Sequence, residues 1–405
     1  MDLSQVMDGM AEKEKEVPTI LECSGFVASQ FFNGEAKIAV TEDEVKLTSS
    51  LNIASIHYSE IDEISFVDYV VHIKTENDRI AISKLGYDGE PFYNKTLDAY
   101  NEKVRKALFI SGEILFKAKG NYKIDEFGSE ISGQAPFYVY ENCVLILPPD
   151  KNARRIPLCF VENVSNFDYE TTIVLVTGET YKFSKMGYDF TGFSKCIETQ
   201  LIKMREKALG EVRSICTTVS GTQAAELSKL LPEGVAAPIT GVMSISPDFI
   251  KSLDEIIKTT KIAESYQVLL EIGDASRTCV GFKNSFALTN DNSLMIWLNV
   301  PSKTKGVCAV EFASEEGDAA ATFIYKYDGD FSQFASRLNR AMEAISFKRE
   351  IIRLTEEELK ENKNMQYKMA INRNVALSFV RSCFCGRIIH SSEDHWKKEI
   401  EDYFN

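Results

Sequence analysis

Paired cysteines, long apolar runs and positive charge are what this sequence has least of. Its nine cysteines, at positions 23, 143, 159, 196, 216, 279, 308, 383 and 385, are odd in number and mostly stand singly among apolar residues. That spacing is not a disulfide framework, and it fits a reducing, cytoplasmic setting. No stretch of eighteen apolar residues occurs, so no membrane-spanning helix is expected. The opening MDLSQVMDGMAEKEKEVPT lacks the basic and then apolar segments of a secretion signal. Sixty acidic residues against 46 basic ones give a net charge of -14. Such a surface repels nucleic-acid phosphates and anionic lipid at long range and favours a basic partner over an acidic one.

Signatures of chemistry are equally scarce. The GxxxxGK[ST] phosphate loop, the GxGxxG turn, the GxSxG elbow and the HExxH helix are all missing. No catalytic residue and no cofactor is therefore assigned. Of the four histidines, His57 and His72 lie within strand patterns and read as sheet residues. Cys383, Cys385, His390 and His395 are the one set with ligand chemistry: four ligands of the kind zinc takes, within thirteen residues. A CxC pair strains a chelate loop, however, so a buried helical cysteine pair is the plainer reading. Lys151, Arg154 and Arg155 make only a small basic patch, without an aromatic platform beside it. Nucleic-acid binding is not expected.

What the sequence does contain is a repeat. Residues 82–109, ISKLGYDGEPFYNKTLDAYNEKVRKALF, return as 183–210, FSKMGYDFTGFSKCIETQLIKMREKALG. Ser83, Lys84, Gly86, Tyr87, Asp88 and Phe92 thereby recur as Ser184, Lys185, Gly187, Tyr188, Asp189 and Phe193. Upstream, Ser65, Asp68 and Tyr69 match Ser165, Asp168 and Tyr169. A period of about 100 residues exceeds a solenoid unit and implies whole duplicated domains. A weaker echo lies in residues 325–348, at Tyr327, Asp328, Phe331 and Ser332.

Each block ends in a helical stripe: Phe92, Leu97, Tyr100, Val104 and Leu108; Phe193, Ile197, Leu201, Met204 and Ala208; Phe331, Phe334, Leu338, Ala341 and Ile345. Before each stripe, apolar and polar residues alternate, as in KIAVTEDEVKLTS, VVHIKT and RIAISK, then TIVLVTG and TYKFSK, then NSFALTNDNSLMIWLNV, GVCAVEF and ATFIYKY. Alternation of this kind predicts antiparallel strands with one buried face. The fold class is α+β: two or three repeated antiparallel-sheet modules, each closed by a C-terminal helix. Gly86 and Gly187 are expected to permit the strand-to-helix turn, and Asp88 and Asp189 to cap the helix that follows.

The acidic hairpin VTEDEVKLT, the apolar strand IDEISF and the closing helix together resemble the pleckstrin-homology-like (PH-like) superfold, particularly its bacterial members. The resemblance implies PH-like modules over 19–112 and 113–212, while charge and breaker residues read as a solvated leader over 1–18 and a helical joint over 213–262. A third module covers 263–354, beginning as early as 236, and a helical tail covers 355–405. Glu42, Asp43 and Glu44 argue against lipid binding by the first hairpin. In the joint and beyond, Ser246 with Pro247 marks a helix start, as does Thr355 with Glu358. Trp396, Ile400 and Phe404 share one face of a final helix, which is expected to dock back.

These features predict a non-catalytic interaction or scaffold protein whose sheet edges and grooves take a protein or peptide, with self-association left open. Two alternatives stand beside it. One is an acidic chaperone-like binder of basic partners, a use made of tandem PH-like modules in some histone chaperones. The other is an enzyme or zinc protein with its site between modules.

Overall fold

A computed structural model describes residues 18–284, 294–313 and 321–405. The expected leader, and part of the NSFALTNDNSLMIWLNV stretch, lie outside the described residues. The chain divides into two compact units, one of residues up to 107 together with 149–151, the other of residues 108–148 and 152–405.

In the first unit, β1 (Leu21–Ala28), β2 (Asn33–Val40), β3 (Glu44–Thr48), β4 (Ile53–His57), β5 (Ile61–Val67), β6 (Val70–Thr75) and β7 (Arg79–Ser83) precede helix α1 (Gly89–Ala107). They form one antiparallel sheet in the order β4-β3-β2-β1-β7-β6-β5. Period-two alternation does what the sequence predicts. Ile38 and Val40, Val45 and Leu47, Val71 and Ile73, and Ile80 and Ile82 are buried, as are Phe92, Tyr100 and Val104 of α1, which packs against β1, β2, β5 and β6. Fully burying one such aliphatic side chain contributes roughly 1.5–3 kcal/mol, which is why the pattern fixes the register.

The second unit begins with the same plan. Strands β8 (Phe116–Glu126), β9 (Ser129–Val139), β10 (Cys143–Ile146), β11 (Arg154–Pro157), β12 (Val161–Phe167), β13 (Glu170–Leu175) and β14 (Thr180–Ser184) precede α2 (Asp189–Ile215). Their order is β11-β10-β9-β8-β14-β13-β12, the first sheet's order shifted by seven strands. A short 3₁₀ turn separates β4 from β5 at Tyr58–Glu60 and β11 from β12 at Leu158–Phe160. The core of this sheet centres on Phe137, Phe183 and Phe193, whose rings meet at 4.9–5.9 Å.

The remainder builds a sheet of another kind. Helices α3 (Gly221–Leu230), α4 (Ile239–Ile245), α5 (Pro247–Lys258) and α6 (Ala263–Ile272) surround β15 (Ala237–Pro238). Then follow β16 (Cys279–Asn284), β17 (Leu294–Pro301), β18 (Val307–Ala313), β19 (Ala321–Lys326), α7 (Phe331–Ala344), α8 (Glu350–Arg353), α9 (Met365–Asn372), α10 (Val375–Cys383), β20 (Phe384–Ile389) and α11 (Glu393–Phe404). The sheet runs β15-β16-β17-β18-β19-β20, a plain meander. It does not follow the order of the first two.

Both of its faces are covered. Ile296, Leu298, Val300 and Ile324 meet α2–α6 and α11, while Met295, Trp297, Val310 and Tyr325 meet α7–α10. A sheet buried on both sides shows a nearly continuous apolar run instead of alternation, and β17, LMIWLNVP, is such a run.

Several expectations are corrected here. The tail is not wholly helical, because Phe384–Ile389 pairs with β19 as the sheet's edge strand. Its residues, FCGRII, are aromatic and β-branched enough to take that place once β19 offers a ladder. The joint likewise contributes β15, and α6 occupies the start of the stretch expected to be a third strand module. Ser246 caps α5 as predicted, its hydroxyl accepting from Phe249 N–H, with Pro247 in the first turn. Thr355 and Glu358 make their reciprocal bonds, but around a 3₁₀ turn rather than a long helix. Trp396, Ile400 and Phe404 do dock back, all three buried against the third sheet.

Candidate functional site

The cysteine and histidine set of the tail does not converge. Cys383 closes α10 in the core beside α7, where burial pushes its thiol pKa up. Cys385 is exposed on β20. His395 stands on α11, 3.4 Å from Glu399 one turn along. Among the described residues no group of three His, Cys, Asp or Glu side chains is placed to hold a metal ion.

His390 has a different setting, at the end of β20 over the opposite face of the sheet. Its Nε2 lies 3.0 Å from the fully buried carboxylate of Glu311, and its Nδ1 lies 2.9 Å from the Ser265 hydroxyl. The ring stacks on Trp396 with centroids 5.0 Å apart. Thr322 donates its hydroxyl to Glu311 and accepts from the Trp396 indole N–H at 2.7 Å. Serine, histidine and glutamate in sequence have the outline of a nucleophile and its base. Here, though, Ser265 is buried on α6 and the network is closed on itself by Thr322 and Trp396. Its evident work is to pin α6 and α11 to β18 and β19, since a buried carboxylate must be hydrogen-bonded to be tolerated.

The basic patch expected at Arg154 and Arg155 is not on the surface. Arg154 Nε donates to Glu126 at 2.8 Å, and the same carboxylate accepts from Tyr181 OH at 2.7 Å. Arg155 pairs with Glu343 of α7. Arg340, also on α7, donates to Glu179 at 3.2 Å, to Glu343 at 3.1 Å and to the main-chain oxygen of Arg155 at 2.8 Å. Burial opposes the Arg155 charge, but the Glu343 carboxylate more than offsets this and holds its pKa above the usual guanidinium range. Burial, with Glu126 alongside, likewise raises the Tyr181 phenol. Within the second unit this network fastens α7 over the edge strand β11. Only Lys151 of the expected patch is exposed.

The duplicated Lys-x-Gly-Tyr-Asp block divides into structural and unassigned parts. Gly86 and Gly187 have φ of 58° and 59°, as the turn requires. Lys84 and Lys185, at 57° and 56°, share that left-handed region, which sequence reasoning missed. Asp189 is not a capping side chain: it occupies the first turn of α2, where a carboxylate is favoured by the helix dipole. Asp88 similarly ends a 3₁₀ turn before α1. Tyr87 and Tyr188 are fully exposed, so neither the turn nor the core explains them.

Tyr69 and Tyr169 are also exposed, in two-residue hairpin turns Asp68-Tyr69 and Asp168-Tyr169 whose φ values are all positive. Because Val71 pairs with Ile82 and Thr171 with Phe183, each hairpin tip and each Gly-Tyr turn lie at the same end of their sheet.

Two open edges stand out. In the first unit, β4 ends that sheet, and Phe31, Leu51 and Ile53 are exposed beside it, with Asn52 donating to Phe31 O at 3.2 Å to join the two loops. In the second unit, β12 is an outer strand with Asn163, Ser165, Asn166 and Phe167 exposed. An uncovered edge presents unpaired main-chain N–H and C=O groups to any extended chain. Leu51 and Ile53 lie just beyond the alternating KIAVTEDEVKLTS stretch, so alternation did not mark them. Neither a family model nor a curated protein matches the sequence. Among the described residues, no helix is long and apolar enough to cross a membrane.

Proposed function

We propose that this chain is a non-catalytic interaction or scaffold protein whose tandem PH-like modules take protein or peptide partners along their sheet edges. The PH-like reading is supported by a seven-strand order that occurs twice, each time followed by a helix, with equivalent residues about 100 positions apart. The observation that carries the functional reading is the β4 edge. A strand of sequence IASIH, free of lysine and proline, ends a sheet with its own Ile53 exposed and Phe31 and Leu51 exposed in the neighbouring loops. Edge strands normally carry charges, prolines or a cover that discourages pairing. One without them offers main-chain hydrogen bonds for affinity and apolar contacts for specificity.

A tagged full-length chain used as bait in lysate of its native host, at low and at high salt, tests this. A discrete protein that stays bound at high salt and is lost with Ile53→Glu supports the reading. Recovery only of basic proteins that salt removes would replace it with the acidic-chaperone reading, because exposed charge pairs are screened. Stoichiometric zinc in the purified protein, with no partner, would reopen the enzyme alternative.

A further inference from the structure

Strands β5 and β12 occupy equivalent positions in the two copies and share an irregularity. Pairing steps from Ile61 opposite Thr75 to Glu63 opposite Lys74, which leaves Asp62 as an extra residue. In β12 it steps from Val161 opposite Leu175 to Asn163 opposite Val174, which leaves Glu162. Bulges of this kind re-aim main-chain groups and mark positions where an edge is used.

On β5 the use is visible within the first unit. Residues 149–151 run antiparallel along its outer side, with Asp150 bridging to Glu63. Ile64 N–H donates to Pro149 O at 2.9 Å, and Lys151 N–H donates to Asp62 O at 2.9 Å. The Lys151 ammonium lies 3.7 Å from the Asp62 carboxylate, and Tyr100 OH donates to Asp150 O at 3.1 Å. A Pro-Asp-Lys segment therefore reads the bulge through two main-chain bonds and one charge pair.

The β12 edge keeps the same receptor features. The bulge is at the same place, the bulged residue is again acidic, and Val164 stands where Ile64 does, so the common register directs Val164 N–H and Glu162 O outward. Among the described residues no segment lies along this edge. We infer that the outer edge of β12 binds an extended partner segment of the Pro-x-Lys kind. The proline carbonyl accepts from Val164 N–H, and the lysine donates its main-chain N–H to Glu162 O and sets its ammonium by the Glu162 carboxylate. The inference rests on the interaction-protein reading and names the chemistry of one partner.

The probe is the N-acetylated, C-amidated hexapeptide Leu-Pro-Pro-Asp-Lys-Asn, the sequence of residues 147–152, titrated into the full-length ¹⁵N-labelled chain. Saturable shifts of the Asn163 and Val164 amides are expected. Glu162→Lys is expected to weaken binding about threefold, the scale of an exposed charge pair, and a peptide with glutamate in place of its lysine should restore binding to that variant. Val164→Pro, which removes an outward N–H where an edge strand tolerates proline, should abolish the shifts. The inference is overturned if β12 amides do not move, if only β5 amides move because the peptide exchanges with the chain's own segment, or if both variants bind as before. A cellular partner retained undiminished by Val164→Pro would remove the β12 edge while the interaction reading stands. Shifts at β12 without any cellular partner would do the reverse.

Discussion

The two copies of the seven-stranded sheet agree in strand order, in the bulge of the fifth strand and in their left-handed turn residues, and they differ at their edges. At the fourth strand, Ile53 of the first copy is 73 % exposed, whereas Ala153 at the equivalent place is fully buried. Ser55 corresponds to Arg155, whose side chain and carbonyl are both held by α7. At the fifth strand the contrast reverses: among the described residues, β5 has a segment along it and β12 has none. Duplication preserved what the ladder needs and left the edges free to diverge. An edge is specified by what lies on it, and a duplicated module leaves its neighbours behind.

The largest test of this contrast is the network that closes β11. Arg340→Ala leaves Glu179 buried without its guanidinium and Glu343 with Arg155 alone, and removing one partner from a buried pair costs about 3–5 kcal/mol. Urea denaturation followed by tryptophan fluorescence reads this loss directly, since Trp297 and Trp396 both lie in the second unit. A change below about 1 kcal/mol would mean that α7 is held over β11 by apolar packing alone.

The equivalent positions in the two fourth strands offer a paired test. Ala153→Lys places an unpartnered charge in a buried site and should cost about 2–4 kcal/mol, whereas Ile53→Lys at the open edge should stay within about 0.5 kcal/mol. Equal costs in thermal or urea unfolding would show that the β4 edge is covered in solution.

A glycine pair sharpens the part that the copies share. Gly25 and Gly120 occupy matching positions, one residue before the pairings of Phe26 with Ser83 and of Asn121 with Ser184. An added methyl group would stand 2.9 Å from Ser83 O in the first copy and 2.4 Å from Ser184 O in the second. Both alanine variants should lose about 1–3 kcal/mol, with Gly120→Ala the costlier. The reverse ranking would indicate that the first copy is the more tightly packed of the two.

The smallest expected effect concerns the exposed hairpin tyrosines. Tyr69 has φ of 62° with its ring in solvent. Relief of left-handed strain should make Tyr69→Gly more stable by up to about 1 kcal/mol in a urea midpoint comparison. A loss instead would reveal that the ring is packed.

Much of the architecture was legible because strand alternation and helical stripes are local: each needs only residues two to four positions apart to declare itself. The duplication, most later strands of the two seven-stranded sheets, α1 and α2, the capped start of α5 and the docking face of α11 were read from sequence, whereas β1 and β8, which pair with β7 and β14, were not. The third sheet was harder, since burial on both faces erases alternation, and β20 reaches its place only by pairing with β19 across α7–α10. The Cys383, Cys385, His390 and His395 set was visible as a spacing. Sequence spacing, however, cannot state that Cys383 and His390 lie over opposite faces of one sheet.

What the sequence by itself determined is therefore the repeated strand and helix content and the exclusion of familiar catalytic motifs. What only the tertiary structure decided is which charges are buried and which edges are open. Arg155 becomes an interior residue because Arg340, 185 positions away, reaches its carbonyl. The β4 and β12 edges remain available because nothing in their own units lies along them among the described residues. Such facts depend on groups distant in sequence, joined by hydrogen bonds and desolvation that exist only once the chain has folded.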